Sequence, residues 1–148
     1  MKKHSCYNLR TLTLMTLILG GGISACLNSS EGVRQVTPQE ASDLVHQQKA
    51  ILVDVREAEE LAESGSANGA LWLPMSKQSD DTPEMKAFLE KAAPGGKKEQ
   101  EIIFYCRSGG RSSKAAAAFA KKGFKVGNMG GFSGWQQAGL PVQNQSNP

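Results

Sequence analysis

Histidine and cysteine are scarce in this chain, with two and three among 148 residues. Beyond residue 26 only His46 and Cys106 remain. That pair cannot supply the three or four Cys and His ligands of a usual zinc site, so no metal is expected. No disulfide can close within the body of the chain either, because it holds one thiol. Aromatic residues make up only 6%. No apolar run reaches the roughly 20 residues of a membrane-spanning helix. Charge of one sign is also missing. The formal excess of +3 is carried by Lys2, Lys3 and Arg10, and without them acids and bases balance. A neutral domain offers no charge-based case for binding nucleic acid. Nucleotide loops are absent as well. Gly95-Gly96-Lys97 has Lys91 where a phosphate loop needs its first glycine, and no Ser or Thr follows the lysine. Gly131-Phe132-Ser133-Gly134 fits neither a serine-hydrolase elbow nor a dinucleotide fingerprint. No cofactor is expected.

What is present begins with an export signal. Lys2, Lys3 and Arg10 precede the apolar stretch Leu12 to Leu19, which Gly20-Gly21-Gly22 breaks. The following Ile23-Ser24-Ala25-Cys26 resembles the bacterial lipobox. That resemblance implies a lipoprotein signal over residues 1–25, a lipid on Cys26 and a membrane partner reached through it. Two or three acyl chains anchor a protein stably, since each buried CH₂ contributes about 0.8 kcal/mol. Residues 26–32 then read as a lipidated tether. Leu27, rather than an inner-membrane-retention Asp, favours the outer membrane of a bacterial envelope. The alternative is an ordinary signal cut after Ala25, leaving Cys26 free. Residues 33–142 read as one domain, and residues 143–148 as a flexible tail.

The domain alternates short apolar runs with helical segments, which predicts an α/β fold with a mainly parallel central sheet flanked by helices. Val33 to Val36 is a short first strand. Thr37-Pro38-Gln39-Glu40 is a capping box with proline at the first helical position. His46, on that helix, reads as an exposed residue without a chemical role. Ile51 to Arg56 is a buried-type strand ending in charge, and Glu57 to Ser64 an acidic helix. Leu71 to Leu73 forms a third strand. Met85, Phe88 and Leu89 make a helical core stripe. Ile102 to Tyr105 is a strand, Ser113 to Lys122 an alanine-rich helix, and Lys125 to Met129 the last strand. Trp135 is expected in the core.

Between strand and alanine-rich helix stands Cys106-Arg107-Ser108-Gly109-Gly110-Arg111-Ser112. A thiol at a strand end, a glycine loop and a helix start together form an anion-binding nest. There the thiol should ionise below its ordinary pKa of about 8.5. Ser112 could cap the helix or bond the sulfur.

This loop resembles the active-site loop of the rhodanese family, the single-domain sulfurtransferases. Other matching segments occur in the family's order. They are Val53-Asp54-Val55-Arg56-Glu57 with Glu60, Gly65 to Ala70, Gly130-Gly131 with Trp135, and Gly139-Leu140-Pro141-Val142. Ser66-Ala67 stands where the family usually has His-Ile. The resemblance implies a single rhodanese-like domain that moves a sulfane sulfur. Cys106 would take it from a small sulfur-containing anion such as thiosulfate, then pass it to cyanide or a thiol. Arg107 and Arg111 would neutralise the donor, and the N–H groups of Ser108, Gly109, Gly110, Arg111 and Ser112 would bind it and the sulfur. Asp54 and Arg56 would be structural near the site. Two other readings stay open. One is a lipid-anchored sulfur carrier or interaction module without turnover. The other is a cysteine-dependent phosphatase or arsenate reductase. For the phosphatase the loop is one residue short, with four residues between Cys106 and Arg111 rather than five. Tyr105 also stands where that signature has histidine.

Overall fold

A computed structural model describes residues 32–144. The expected signal, Cys26 and the tether up to residue 31 lie outside the described residues, as do residues 145–148 of the tail. The elements are β1 (Val33–Gln35), α1 (Pro38–His46), β2 (Ala50–Asp54), α2 (Ala58–Ser64), β3 (Ser66–Ala67), β4 (Leu71–Trp72), α3 (Pro83–Ala92), β5 (Glu101–Cys106), α4 (Gly110–Lys121), β6 (Val126–Gly131), α5 (Phe132–Gln137) and β7 (Val142–Gln143). Strands β1-β6-β5-β2-β4 form a wholly parallel five-stranded sheet, and β3 and β7 a separate antiparallel pair. The α/β architecture and its mainly parallel sheet are therefore as the alternation predicts.

The central strand β5 explains the two-sided core. Side chains alternate across a strand. Ile102, Phe104 and Cys106 enter one apolar cluster, with Phe88, Phe119 and Phe124 from the α3 and α4 side. Ile103 and Tyr105 enter the other, with Ala41, Phe132 and Trp135 from the α1 and α5 side. A strand buried on both faces reads as a continuous apolar run, as Ile102 to Tyr105 does. Helix α4 buries Ser112, Ala115, Ala116 and Phe119, one face at helical spacing. On the opposite face, Gly127 of β6 leaves room for Val36 and Ile103. A Cβ there would lie 2.6 Å from Val36 Cγ2.

Three local expectations change. Lys125 to Met129 does not hold the last strand. β6 runs from Val126 to Gly131, and α5 and β7 follow. β7 also takes in Gln143, one residue beyond the expected domain end, by pairing it with Ser66. The same ladder accommodates Ser66-Ala67, whose side chains are buried. Half of the first capping box forms. The Glu40 N–H donates to Thr37 Oγ1 at 3.2 Å, while the Glu40 carboxylate turns outward to Arg34. A complete box appears instead at α2, where Glu57 and Glu60 cap one another. His46 is exposed at the end of α1, as expected.

Candidate functional site

Cys106 is the last residue of β5, at the carboxyl end of the parallel sheet, where α/β folds form their sites. Its partner across the ladder is Gly131 of β6. The β5–β6 register slips between Phe104 and Tyr105, so that Met129 is an extra residue in β6. Such a bulge turns the strand ends at the place where the loop departs. The chain then reverses through Arg107 and Ser108 into Gly109, whose φ of 97° lies in the left-handed region. A side chain would be strained there, and a Cβ would also sit 3.4 Å from Gly130 Cα. This reversal starts α4 at Gly110, three residues earlier than the sequence suggests.

The loop wraps the sulfur. The Gly109 N–H donates to Cys106 Sγ at 3.0 Å, and Ser112 Oγ lies 3.6 Å from it. Burial pushes the thiol pKa up. The N–H groups of Ser112, Ser108 and Gly109, with the Ser112 hydroxyl, outweigh burial and bring it below that of an ordinary thiol. Cys106 is thus a buried sulfur whose ionised form is stabilised by fixed donors.

Ser112 does not cap the helix. Gly109 occupies the cap position, and Ser112 is fully buried in the first turns of α4. Its hydroxyl has one proton and three acceptors in reach: Asn128 Oδ1 at 2.8 Å, Gly109 O at 3.0 Å and the sulfur. Asn128 Oδ1 also accepts from the Gly130 N–H at 3.1 Å, which fixes the orientation of its amide. Asn128 is therefore part of the sulfur's surroundings. The sequence reading missed it, although a polar residue inside the otherwise apolar strand run Val126 to Met129 was the available signal.

The two loop arginines are not equivalent. Arg111 makes a forked ion pair with Glu60 of α2, at 2.5 and 2.6 Å. The pair holds the Glu60 carboxyl down at about 2 and raises the Arg111 guanidinium, which also feels the charge on Cys106. Arg107 is exposed and has no ion pair among the described residues. Ser108 and Gly110 are exposed beside it. A cavity of about 270 Å³ adjoins the loop and is lined by Arg107, Glu60, Glu63, Ser133 and the Phe132 ring, among others.

Asp54 and Arg56 form a buried pair next to this cavity. Arg56 Nη2 donates to Asp54 Oδ2 at 2.7 Å and to Gly65 O at 2.6 Å, while Nη1 donates to Ser64 Oγ at 2.9 Å. The guanidinium lies 4.2 Å from the centre of the Phe132 ring. Burial opposes the charge on Arg56, but the Asp54 carboxylate more than offsets it. Tyr105 completes the group. Burial and the Asp54 charge raise its phenol well above the usual range, and its oxygen accepts from the Ala67 N–H at 3.0 Å.

A family model, the rhodanese-like domain, matches residues 37–138 of this chain. The chain belongs to the rhodanese-like family. The match takes in every described element except β1 and β7. Among curated relatives, a thiosulfate sulfurtransferase GlpE of Actinobacillus succinogenes is 32% identical over 113 residues, covering 74% of this chain and 89% of that protein. A sulfurtransferase of Allochromatium vinosum is 33% identical over 101 residues, covering 67% of this chain and 83% of its own length. Among solved structures, a protein of unknown function from Rhodopseudomonas palustris, described as a possible tyrosine phosphatase, superposes with a TM-score of 0.60. It is 25% identical and covers 87% of this chain and 99% of that one. The rhodanese-like loop of this chain keeps four residues between its cysteine and Arg111.

Proposed function

We propose that this protein is a thiosulfate sulfurtransferase that works through a persulfide on Cys106. The observation that carries the reading is the sulfur cradle, in which fixed N–H groups outweigh burial and lower the pKa of the Cys106 thiol. The Cys106 thiolate attacks the outer sulfur of thiosulfate. A bond forms between Sγ and that sulfur, the bond to the sulfite sulfur breaks, and sulfite leaves with the electron pair. The persulfide occupies the same nest, held by the N–H groups of Ser108, Gly109 and Ser112. Cyanide or a thiol then takes the outer sulfur and returns the Cys106 thiolate. Arg107, which has no carboxylate partner among the described residues, is the cation offered to the donor. Arg111 shares its charge with Glu60 and contributes less, chiefly by holding α2 against the loop.

A lipid on Cys26 would anchor the domain in a bacterial envelope, facing the periplasm or the outer surface. The path of the chain supports that reading. The described chain enters at the amino end of β1, and Cys106 ends β5, which runs parallel with β1 through β6. A tether at Gly32 therefore leaves the site at the opposite pole of the sheet. Acyl labelling of the full chain, lost in Cys26→Ser, tests the anchor.

The test of the reaction is the intact mass of the soluble domain lacking the first 26 residues. Thiosulfate should add one sulfur atom at Cys106, and cyanide should remove it as thiocyanate. Cys106→Ser should abolish turnover with the fold intact, and retained turnover would overturn the mechanism. Loading without repeated turnover would instead favour a sulfur carrier, and hydrolysis of phosphate esters a phosphatase.

A further inference from the structure

The cavity beside the loop contains two charged groups that sulfur loading does not account for together. Four charged side chains line it: Arg56, Arg107, Glu60 and Glu63. Asp54 engages Arg56, and Arg111 engages Glu60. Neither Arg107 nor Glu63 has an ion-pair partner among the described residues. The cavity thus presents one uncommitted cation and one uncommitted anion, with the exposed Ser133 as a neutral hydrogen-bonding group beside them.

The cavity adjoins the loop that starts at Cys106, because Arg107, the next residue in the chain, lines it. Cys106 pairs across the ladder with Gly131. A Cβ at Gly131 would lie 3.0 Å from Arg107 O and 3.5 Å from Ser133 Oγ, so these residues flank the end of β6, the strand that pairs with Cys106. A simple dianion uses Arg107 but meets repulsion from Glu63. A molecule carrying both a carboxylate and an ammonium satisfies both. The volume, about 270 Å³, is at the small end of ligand pockets and suits a molecule of amino-acid or short-peptide size.

We propose that the sulfur acceptor is a zwitterionic thiol of the amino-acid type, its carboxylate on Arg107 and its ammonium on Glu63. The inference rests on the Cys106 persulfide proposed above. Arg107 serves both halves of the cycle. It holds the donor anion first and, once sulfite has left, the carboxylate of the acceptor. Glu63 weakens the hold on the donor dianion in the first half and selects among acceptors in the second. The acceptor loses its thiol proton to solvent, and its thiolate attacks the outer sulfur of the persulfide. A bond forms between the two sulfurs, the Cys106 Sγ–S bond breaks, and the electron pair returns to Cys106 as thiolate. The acceptor departs as its own persulfide, so no outside oxidant or reductant is required.

The experiment loads the full chain with thiosulfate, removes the excess, and follows discharge in a single turnover by mass. The probes are L-cysteine, cysteamine, 3-mercaptopropionate, 2-mercaptoethanol and cyanide, with the thiols compared per thiolate. L-cysteine should discharge the protein about tenfold faster than cysteamine or 3-mercaptopropionate, each of which lacks one charged contact, and faster still than 2-mercaptoethanol. Glu63→Gln should slow L-cysteine and cysteamine about tenfold and leave 3-mercaptopropionate and cyanide as they were. A loaded protein that discharges to all four thiols at one rate would overturn this inference and leave sulfur transfer standing. So would Glu63→Gln slowing cyanide and L-cysteine alike, since Glu63 would then act on the sulfur or the fold. A protein that takes up no sulfur from thiosulfate would overturn the sulfur-transfer reading, and this inference with it.

Discussion

Two arginine–carboxylate pairs stand on either side of α2, and they differ in their access to water. In the inner pair, Arg56 and Asp54 have side chains only 3% and 1% exposed. In the outer pair, Arg111 and Glu60 are 32% and 22% exposed. The inner guanidinium spends its donors on Asp54, Ser64 and Gly65 and lies over Phe132. It therefore ties the end of β2 to the end of α2 and to α5. The outer guanidinium binds one carboxylate and ties α4 to α2. A charge removed from water must have partners on every side, because leaving it unpaired is costly, whereas a half-exposed charge is screened by solvent. The inner pair is thus architecture beneath the cavity. The outer pair is an electrostatic contact beside the sulfur.

The largest expected effect breaks the inner pair. Arg56→Ala leaves the Asp54 carboxylate buried without its counter-charge and Gly65 O without its donor. Loss of one partner of a buried pair costs about 3–5 kcal/mol. For a domain of this size that lowers the melting temperature by roughly 15–30 °C, measurable by calorimetry. Arg111→Ala should cost no more than about 1 kcal/mol by the same measurement. Equal losses in the two variants would erase the distinction drawn between the pairs.

A smaller effect concerns the sulfur itself. Ser112→Ala removes a hydroxyl donor and leaves the N–H groups in place, so the Cys106 thiol pKa should rise. The midpoint of iodoacetamide alkylation against pH reads it. Electrostatics from the outer pair should move the same midpoint by less, because solvent screens both partners. Arg111→Ala removes a nearby cation and raises it. Glu60→Gln leaves Arg111 uncompensated and lowers it. Shifts of one sign in both variants would show that the outer pair acts through loop geometry rather than through charge.

These contrasts also show what was legible in the sequence. The strand order could not be read from local pattern, but the parallel sheet could, because both faces of β5 are covered and Ile102 to Tyr105 has no polar interruption. The segment containing Cys106 could be read because glycine, thiol and arginine are adjacent along the chain. Asn128 could not, since its place beside Ser112 depends on the register of β6, which carries an extra residue at the bulge. The engagement of Arg111 by Glu60 is likewise a contact across 51 residues. Adjacency along the chain therefore makes the two loop arginines look equal, although among the described residues only Arg111 has an ion pair. The start of α4 shifted for a local reason, the left-handed turn at Gly109, which a glycine pair permits without announcing its position.

The smallest effect tests the outer pair by acid. Glu60 titrates at about 2 in the folded protein, held down first by Arg111, against an ordinary value of 4.5. A depressed carboxyl contributes its stability above the unfolded pKa and loses it as pH falls through the folded one. The window is therefore from about pH 4.5 down to about 2. Because solvent screens both partners, the contribution is about 1 kcal/mol rather than the full shift. The Glu60 carboxylate also accepts the Glu57 N–H at 3.1 Å, a bond that Arg111→Ala leaves in place. Denaturant unfolding at pH 6 and at pH 2.5 should then show the wild type losing its advantage over Arg111→Ala on the acid side. A gap that stays constant between the two pH values would mean that the pair is silent in stability, and that Glu60 owes its low pKa to the α2 cap rather than to Arg111.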